Sequence, residues 1–213
     1  MILDLKKTGA FLGFLIIIVI SAIVLISCNP TQAQKEDAFN TYGKTNAYNK
    51  LANGSILHLQ SGSIVAFYIP QSLTGDYLTI SQAAICKANQ LTSTITITIT
   101  DSQYSNFKFS VVTTYLSSST ANAYNSYQYN VNTAEISAST ITYVSSVLGS
   151  KSIDYKIHTA LHEMGHTFGL GHVFEDILRG YTVMISPHPS EAKYQMDDFG
   201  EFDDANIIWY YGE

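Results

Sequence analysis

Positive charge is scarce in this 213-residue chain. Lysine and arginine number 11 against 17 acidic residues, a formal net charge of −6, so nothing in the composition suggests a nucleic-acid partner. Charged residues of both signs make up only 13% of the chain, while tyrosine, serine, threonine and asparagine are abundant. That balance suits a protein working outside the cytoplasm. Cysteine is scarce too, with two, Cys28 and Cys86. They could form one pair at most, and their contexts assign them separate fates. Cys28 closes an apolar N-terminal segment. Cys86 lies in the apolar-periodic stretch 80–89, where a buried, inert thiol is expected. With 46% hydrophobic residues, the chain is long enough for one domain with a sizeable core plus appendages.

The first 27 residues read as a membrane-targeting segment. Lys6 and Lys7 precede a stretch, 8–27, with no charge, of which 11–26 is strongly apolar. Its length exceeds a usual secretory core and approaches the roughly 20 residues that span a bilayer. It ends in Leu25-Ile26-Ser27-Cys28, which resembles a bacterial lipobox. That resemblance implies cleavage of 1–27 as a lipoprotein signal peptide and a lipidated Cys28. The alternative is an uncleaved transmembrane anchor. Either way the rest of the chain is expected to be extracytoplasmic and tethered to a membrane. Residues 28–55 are polar, with Pro30, Gly43 and Gly54, and are expected to be a flexible tether with room for one short helix.

A folded domain is expected over 56–213. Residues 63–69 are β-branched and aromatic and stop at Pro70, as a buried strand does. Residues 74–91 carry Tyr77, Leu78, Ile80, Ala84, Ile85 and Ala88 at helical spacing, with Thr74 or Asp76 near the helix start. Residues 94–100 alternate Thr and Ile strictly and form the clearest strand signal. Residues 107–115 predict another strand, with Phe107, Phe109 and Val111 on one face. The strand–helix–strand order argues for a mixed sheet backed by a helix. Residues 124–131 partly alternate, and both an edge strand and an exposed loop with scattered tyrosines remain open. Residues 135–145 hold a further strand.

Residues 151–168 predict a helix, with Ile153, Ile157, Leu161, Met164 and Phe168 forming the face toward the sheet. This helix carries His162-Glu163-Met164-Gly165-His166, followed by Gly169 and His172. Positions i and i+4 lie on one helix face, so His162 and His166 can meet one metal ion, and Glu163 can reach a water bound there. A glycine at 169 can turn left-handed, end the helix and return His172 as a third ligand. Three nitrogens and one open position describe a catalytic zinc site, since structural sites are closed by four protein ligands. His158, one turn earlier, would close the site and is expected to be a packed histidine instead. The five fixed residues arise by chance in fewer than about one in a thousand chains of this length, which decides against an ordinary amphipathic helix.

The pattern H-E-x-x-H-x-x-G-x-x-H resembles the metzincin zinc peptidases. Met184, 12 residues past His172, matches their Met-turn, a hydrophobic base beneath the metal. Val183-Met184-Ile185-Ser186-Pro187 is most similar to the matrixin version. Ser186 stands where some relatives have a tyrosine ligand, so no such ligand is expected. Residues 203–212, opening with Asp203-Asp204 and ending in Tyr211-Gly212, resemble the closing matrixin helix, in which an aspartate supports the site from below. The acids suit a helix N-terminus, and Ile207, Ile208 and Tyr211 are expected to pack inward.

The resemblance implies an α+β, zincin-like fold: a mixed twisted sheet of about five strands, a backing helix, an active-site helix and a C-terminal helix. It implies one catalytic Zn2+ held by His162, His166 and His172, with Glu163 as general base and a protein or peptide as substrate. A 124–131 edge strand would accept that substrate as an added strand. Features that are missing set limits. No acidic calcium loop precedes the helix, so structural Ca2+ has no support, and the acids clustered at the end of the chain are expected to be a solvated face. No masking-propeptide motif surrounds Cys86, and no hemopexin-like extension follows. Two other functions fit the same residues: a zinc hydrolase of a non-peptide amide, and a catalytically silent surface-binding lipoprotein. His188 could line the substrate wall.

Overall fold

A computed structural model describes residues 32–114, 121–186 and 196–212. Residues 1–27, expected to be a membrane-targeting segment, lie outside these, as do Cys28, Pro187, His188 and part of the acidic cluster. Residues 1–37 and 38–213 form two compact units. Of the first, only the opening of helix α1 (Gln32–Tyr42) is described. Among the described residues no helix is long and apolar enough to cross a membrane.

The larger unit is α+β. Its five strands are β1 (Ile64–Tyr68), β2 (Thr96–Thr100), β3 (Phe107–Val112), β4 (Ala123–Tyr129) and β5 (Ile136–Val144). They form one mixed sheet in the order β2-β1-β3-β5-β4. β1 pairs in parallel with β2 and β3, and β3 with β5, while β4 runs antiparallel to β5 at the edge. The ambiguous stretch 124–131 is therefore a strand as far as Tyr129, and its pairing shifts register between Gln128 and Tyr129.

Helix α2 (Asp76–Leu91) connects β1 to β2 and supplies Ile80, Ala84, Ile85, Ala88 and Leu91 to the core. Its N-cap is Gly75, with no side-chain cap, rather than Thr74 or Asp76. Asp76 pairs instead with the buried Lys156 ammonium at 2.7 Å. This pair ties the start of α2 to helix α4 (Ile153–Thr167), which follows the single turn α3 (Ser145–Leu148). Cys86 is exposed, contrary to the expected buried thiol. The apolar residues around it belong to the 80/84/88/91 stripe, and Cys86 falls on the other side of the helix.

An aromatic row knits the centre of the sheet to α2. The rings of Phe67 on β1 and Phe109 on β3 lie 5.0 Å apart, Phe109 and Tyr143 on β5 6.1 Å, and Tyr143 and Tyr77 on α2 5.7 Å. Phe67, Phe109 and Tyr143 are fully buried, and burying a ring of this size stabilises the fold by roughly 1.5–3 kcal/mol. The Tyr143 hydroxyl reaches Ser81 Oγ at 3.1 Å, so the buried polar tip is satisfied.

Two apolar faces differ from expectation. On α4 and its C-cap, Leu161, Met164 and Phe168 are fully buried, but Ile153 is 40% exposed. Helix α5 (Glu201–Tyr211) buries Ile207 and Tyr211 and exposes Ile208. The stretch expected to be a tether also needs correction. Residues 38–55 belong to the compact unit, with Ala38, Ala47 and Tyr48 buried. The Tyr48 ring packs near Trp209 and Tyr210, and its hydroxyl donates to the Asn206 carbonyl at 2.8 Å. Polar composition suggested solvent, but this segment docks through its own backbone and two aromatic side chains, Tyr48 and Phe39, whose ring lies 5.0 Å from that of Phe202.

Candidate metal centre

Helix α4 begins at Ser152, whose Oγ accepts the Tyr155 N–H. It ends in a Schellman turn: Leu170 N–H donates to the Gly165 carbonyl and Gly169 N–H to that of His166, both at 3.0 Å. Gly169 has φ +91°, the left-handed conformation that favours glycine. A β-carbon there would also run into the Leu57 carbonyl. The chain reverses, and His172 comes back over the helix.

Three imidazoles converge at this turn. His172 Nε2 lies 3.1 Å from His166 Nε2 and 3.1 Å from His162 Nε2, and the three ligand atoms all fall within 4.8 Å of one another. His162 Nδ1 contacts the Val183 carbonyl at 2.7 Å, and His166 Nδ1 the Leu170 carbonyl at 2.8 Å. A carbonyl only accepts, so each Nδ1 carries the proton and donates, and each Nε2 presents a lone pair inward. Loss of water around the ring pushes His166 down to about 4, with the His172 charge adding to the effect, and burial also lowers His172. His166 and His172 therefore favour the neutral form near pH 7. The Nε2 lone pairs of His162 and His166 face inward, toward a point that a cation would occupy. Tetrahedral zinc with bonds of 2.0–2.1 Å separates its nitrogens by about 3.3 Å, close to the spacing here. The donor set fits a zinc ion. Among the described residues, these three are the group able to hold a metal. His158 is outside it: it is buried, and its Nδ1 accepts the Met196 N–H at 3.0 Å.

Glu163 is buried beside the histidines and lines a cavity of about 320 Å³ together with Asn49, Ala123, Tyr124, Asn125, Tyr127, His166 and His172. Burial pushes its carboxyl up to about 8, opposed by a backbone hydrogen bond from Asn125. A cation at the histidines would favour the ionised form. Edge strand β4 forms one wall. Asn125 Nδ2 donates to the Glu163 carbonyl at 2.8 Å and to Thr167 Oγ1 at 2.9 Å, and Asn125 Oδ1 accepts from Ser139 Oγ at 2.9 Å. This network pins β4 and β5 to α4 at the level of Glu163.

The floor is built by the segment after His172. Met184 is buried, and its sulfur occupies the space that a β-carbon on Gly165 would take. Val173 N–H donates to the Met184 carbonyl at 2.8 Å and Ser186 N–H to that of Val173 at 2.7 Å. Asp203 supports this turn. Its Oδ2 accepts Val183 N–H at 2.7 Å and Gly200 N–H at 3.1 Å, and its Oδ1 accepts the Thr182 hydroxyl. Val183 thus hands its N–H to Asp203 and its carbonyl to His162. Of the two aspartates read as candidates for support, Asp203 is the buried one and faces the turn. It is not part of a solvated acidic face. Burial raises it to about 7, against the pull of those three donors.

The structure brings together all four residues singled out in the sequence: His162, Glu163, His166 and His172. It adds Asn49, Asn125, Ser139 and Thr167, which no motif marked. Asparagine is disfavoured in strands, so Asn125 within a tyrosine-rich alternation was the one faint signal.

The sequence matches no protein-family model and no curated protein. A solved structure of myroilysin is similar, with a TM-score of 0.48 and 12% sequence identity, covering 73% of this chain and 96% of that chain. That likeness concerns the arrangement of elements and assigns no chemistry to this chain.

Proposed function

We propose that this chain is a zinc endopeptidase of the matrixin-like metzincin type. One observation carries the proposal. Three histidine Nε2 atoms converge, two of them with Nδ1 held by backbone carbonyls, beside a buried glutamate in an open cleft. A bound zinc ion would lower the pKa of a coordinated water to about 7 and polarise a carbonyl. His162, His166 and His172 would hold it. Glu163 would take the proton from the attacking water and pass it to the leaving amine, a role worth typically 10²–10⁴-fold in rate. The outer edge of β4 would align an extended peptide along the cleft. Replacing Glu163 by Gln should leave zinc bound and reduce peptide cleavage at least about 100-fold. Undiminished cleavage by that variant would remove Glu163 from the role of base.

Chelator-sensitive cleavage of a mixed peptide library separates this proposal from a silent binding module. The apolar stretch 8–27 and the lipobox-like ending at Cys28 support a membrane-tethered, extracytoplasmic placement. Cys28→Ser should abolish incorporation of labelled fatty acid. Retained labelling would point to another anchor.

A further inference from the structure

The strand-like segment 47–49 packs on the turn that joins the second and third histidines. Gly171 N–H donates to the Ala47 carbonyl and Asn49 N–H to the Gly169 carbonyl, both at 2.8 Å, with Tyr48 and Leu170 paired antiparallel between them. The Asn49 side chain then makes a contact with a chemical consequence. Its Nδ2 donates at 3.0 Å to the Leu170 carbonyl, the same oxygen that accepts His166 Nδ1 at 2.8 Å. A carbonyl has two lone pairs. Here one holds His166 in its metal-facing tautomer, and the other is held by Asn49.

The fit is close on all sides. A β-carbon on Gly171 would lie 3.2 Å from Asn49 Oδ1 and 3.5 Å from Asn49 N, so glycine at 171 lets the amide lie flat on the turn. The segment is itself anchored on α5. The Tyr48 hydroxyl donates to the Asn206 carbonyl, and Lys44 N–H donates to Asn206 Oδ1. Asn49 also borders the cleft alongside Glu163, His166 and His172.

We infer that Asn49 is a positioning residue of the metal centre. It orients the Leu170 carbonyl and through it the His166 ring, and it fixes the turn that presents His172. The inference rests on the zinc reading of the three histidines. Groups that orient metal-binding histidines from outside the ligand set typically change metal affinity 10–100-fold when replaced.

The test compares the full-length protein with Asn49→Asp, which keeps the shape and the backbone pairing but faces the carbonyl without an amide donor. Asn49→Ala serves if the aspartate variant fails to fold. Zinc affinity is read by chelator competition, ligand geometry from the visible spectrum of the Co2+-loaded protein, and folding from the thermal midpoint of the metal-free protein. Expected is a loss of about 10-fold or more in zinc affinity and an altered cobalt spectrum, with the metal-free midpoint near that of the parent. Parental zinc affinity and a parental cobalt spectrum in the variant would overturn the role of Asn49 and leave the zinc site standing. A parent protein that binds neither metal would overturn the zinc site and the role of Asn49 with it.

Discussion

Residues 162–186 and residues 38–58 border the same histidine turn, one by carrying it and the other by packing on it. The first announces itself in side chains. His162, Glu163, His166, Gly169, His172 and Met184 each have the one residue type that their place requires. The second works almost wholly through backbone atoms: the Ala47 carbonyl, the Asn49 N–H and the Leu57 carbonyl against which Gly169 packs. The comparison teaches that a metal site can be half visible in a sequence. The ligands need particular chemistry, whereas what holds their turn needs only peptide groups at the right place, plus one asparagine and one tyrosine.

The largest effect expected from breaking the first region is that of His172→Ala. It should lose zinc at limiting metal and with it all cleavage. Metal analysis that found full occupancy would show that His172 is no ligand. Gly169→Ala strikes both regions at once, since it forces a β-carbon into left-handed backbone and against Leu57. A destabilisation of at least about 1–3 kcal/mol is expected from the backbone conformation alone, with weakened zinc binding. Denaturant midpoints check it, and an unchanged midpoint would mean that the 57–58 stretch does not press on the turn.

A pH test sharpens the account of the floor. Asp203 has a folded pKa raised to about 7 from an ordinary 3.8. Its contribution to stability is therefore full below about 3.8 and is lost as pH rises through about 7. The metal-free protein should lose stability between pH 5 and pH 7, by up to about 1.4 kcal/mol per pH unit for a single group. Asp203→Asn should flatten that slope. Glu163, raised to about 8, acts in the same direction, so some slope survives in the variant. An Asp203→Asn slope equal to the parent's would show that Asp203 does not titrate in this window. The smallest effect belongs to Tyr48→Phe. Losing the hydroxyl contact to the Asn206 carbonyl should cost about 0.5–1.5 kcal/mol, read from the thermal midpoint. No change would mean that the hydroxyl adds nothing to the anchoring by the ring and the backbone.

Much of the sheet was legible because its strands repeat every two residues. The Thr-Ile alternation of β2 and the apolar run of β1 fall where expected, and α2 and α4 follow their 3.6-residue stripes. β4 was not decided by its sequence. Its signal is weak because one edge is unpaired and several of its side chains face the cleft or solvent, so burial could not impose strict alternation. Cys86 and Ile208 were misassigned for a shared reason. Each sits in an apolar neighbourhood along the chain but on the outward side of its helix.

The sequence by itself determined that three histidines and a glutamate could meet, because i, i+4 spacing and a helix-ending glycine are local geometry. Only the tertiary structure decided what orients them. The acceptors for His162 and His166 are the carbonyls of Val183 and Leu170, and every residue has a carbonyl. The choice of these two comes from Asp203, Asn49 and Leu57, brought in from distant parts of the chain by packing rather than by any pattern along it.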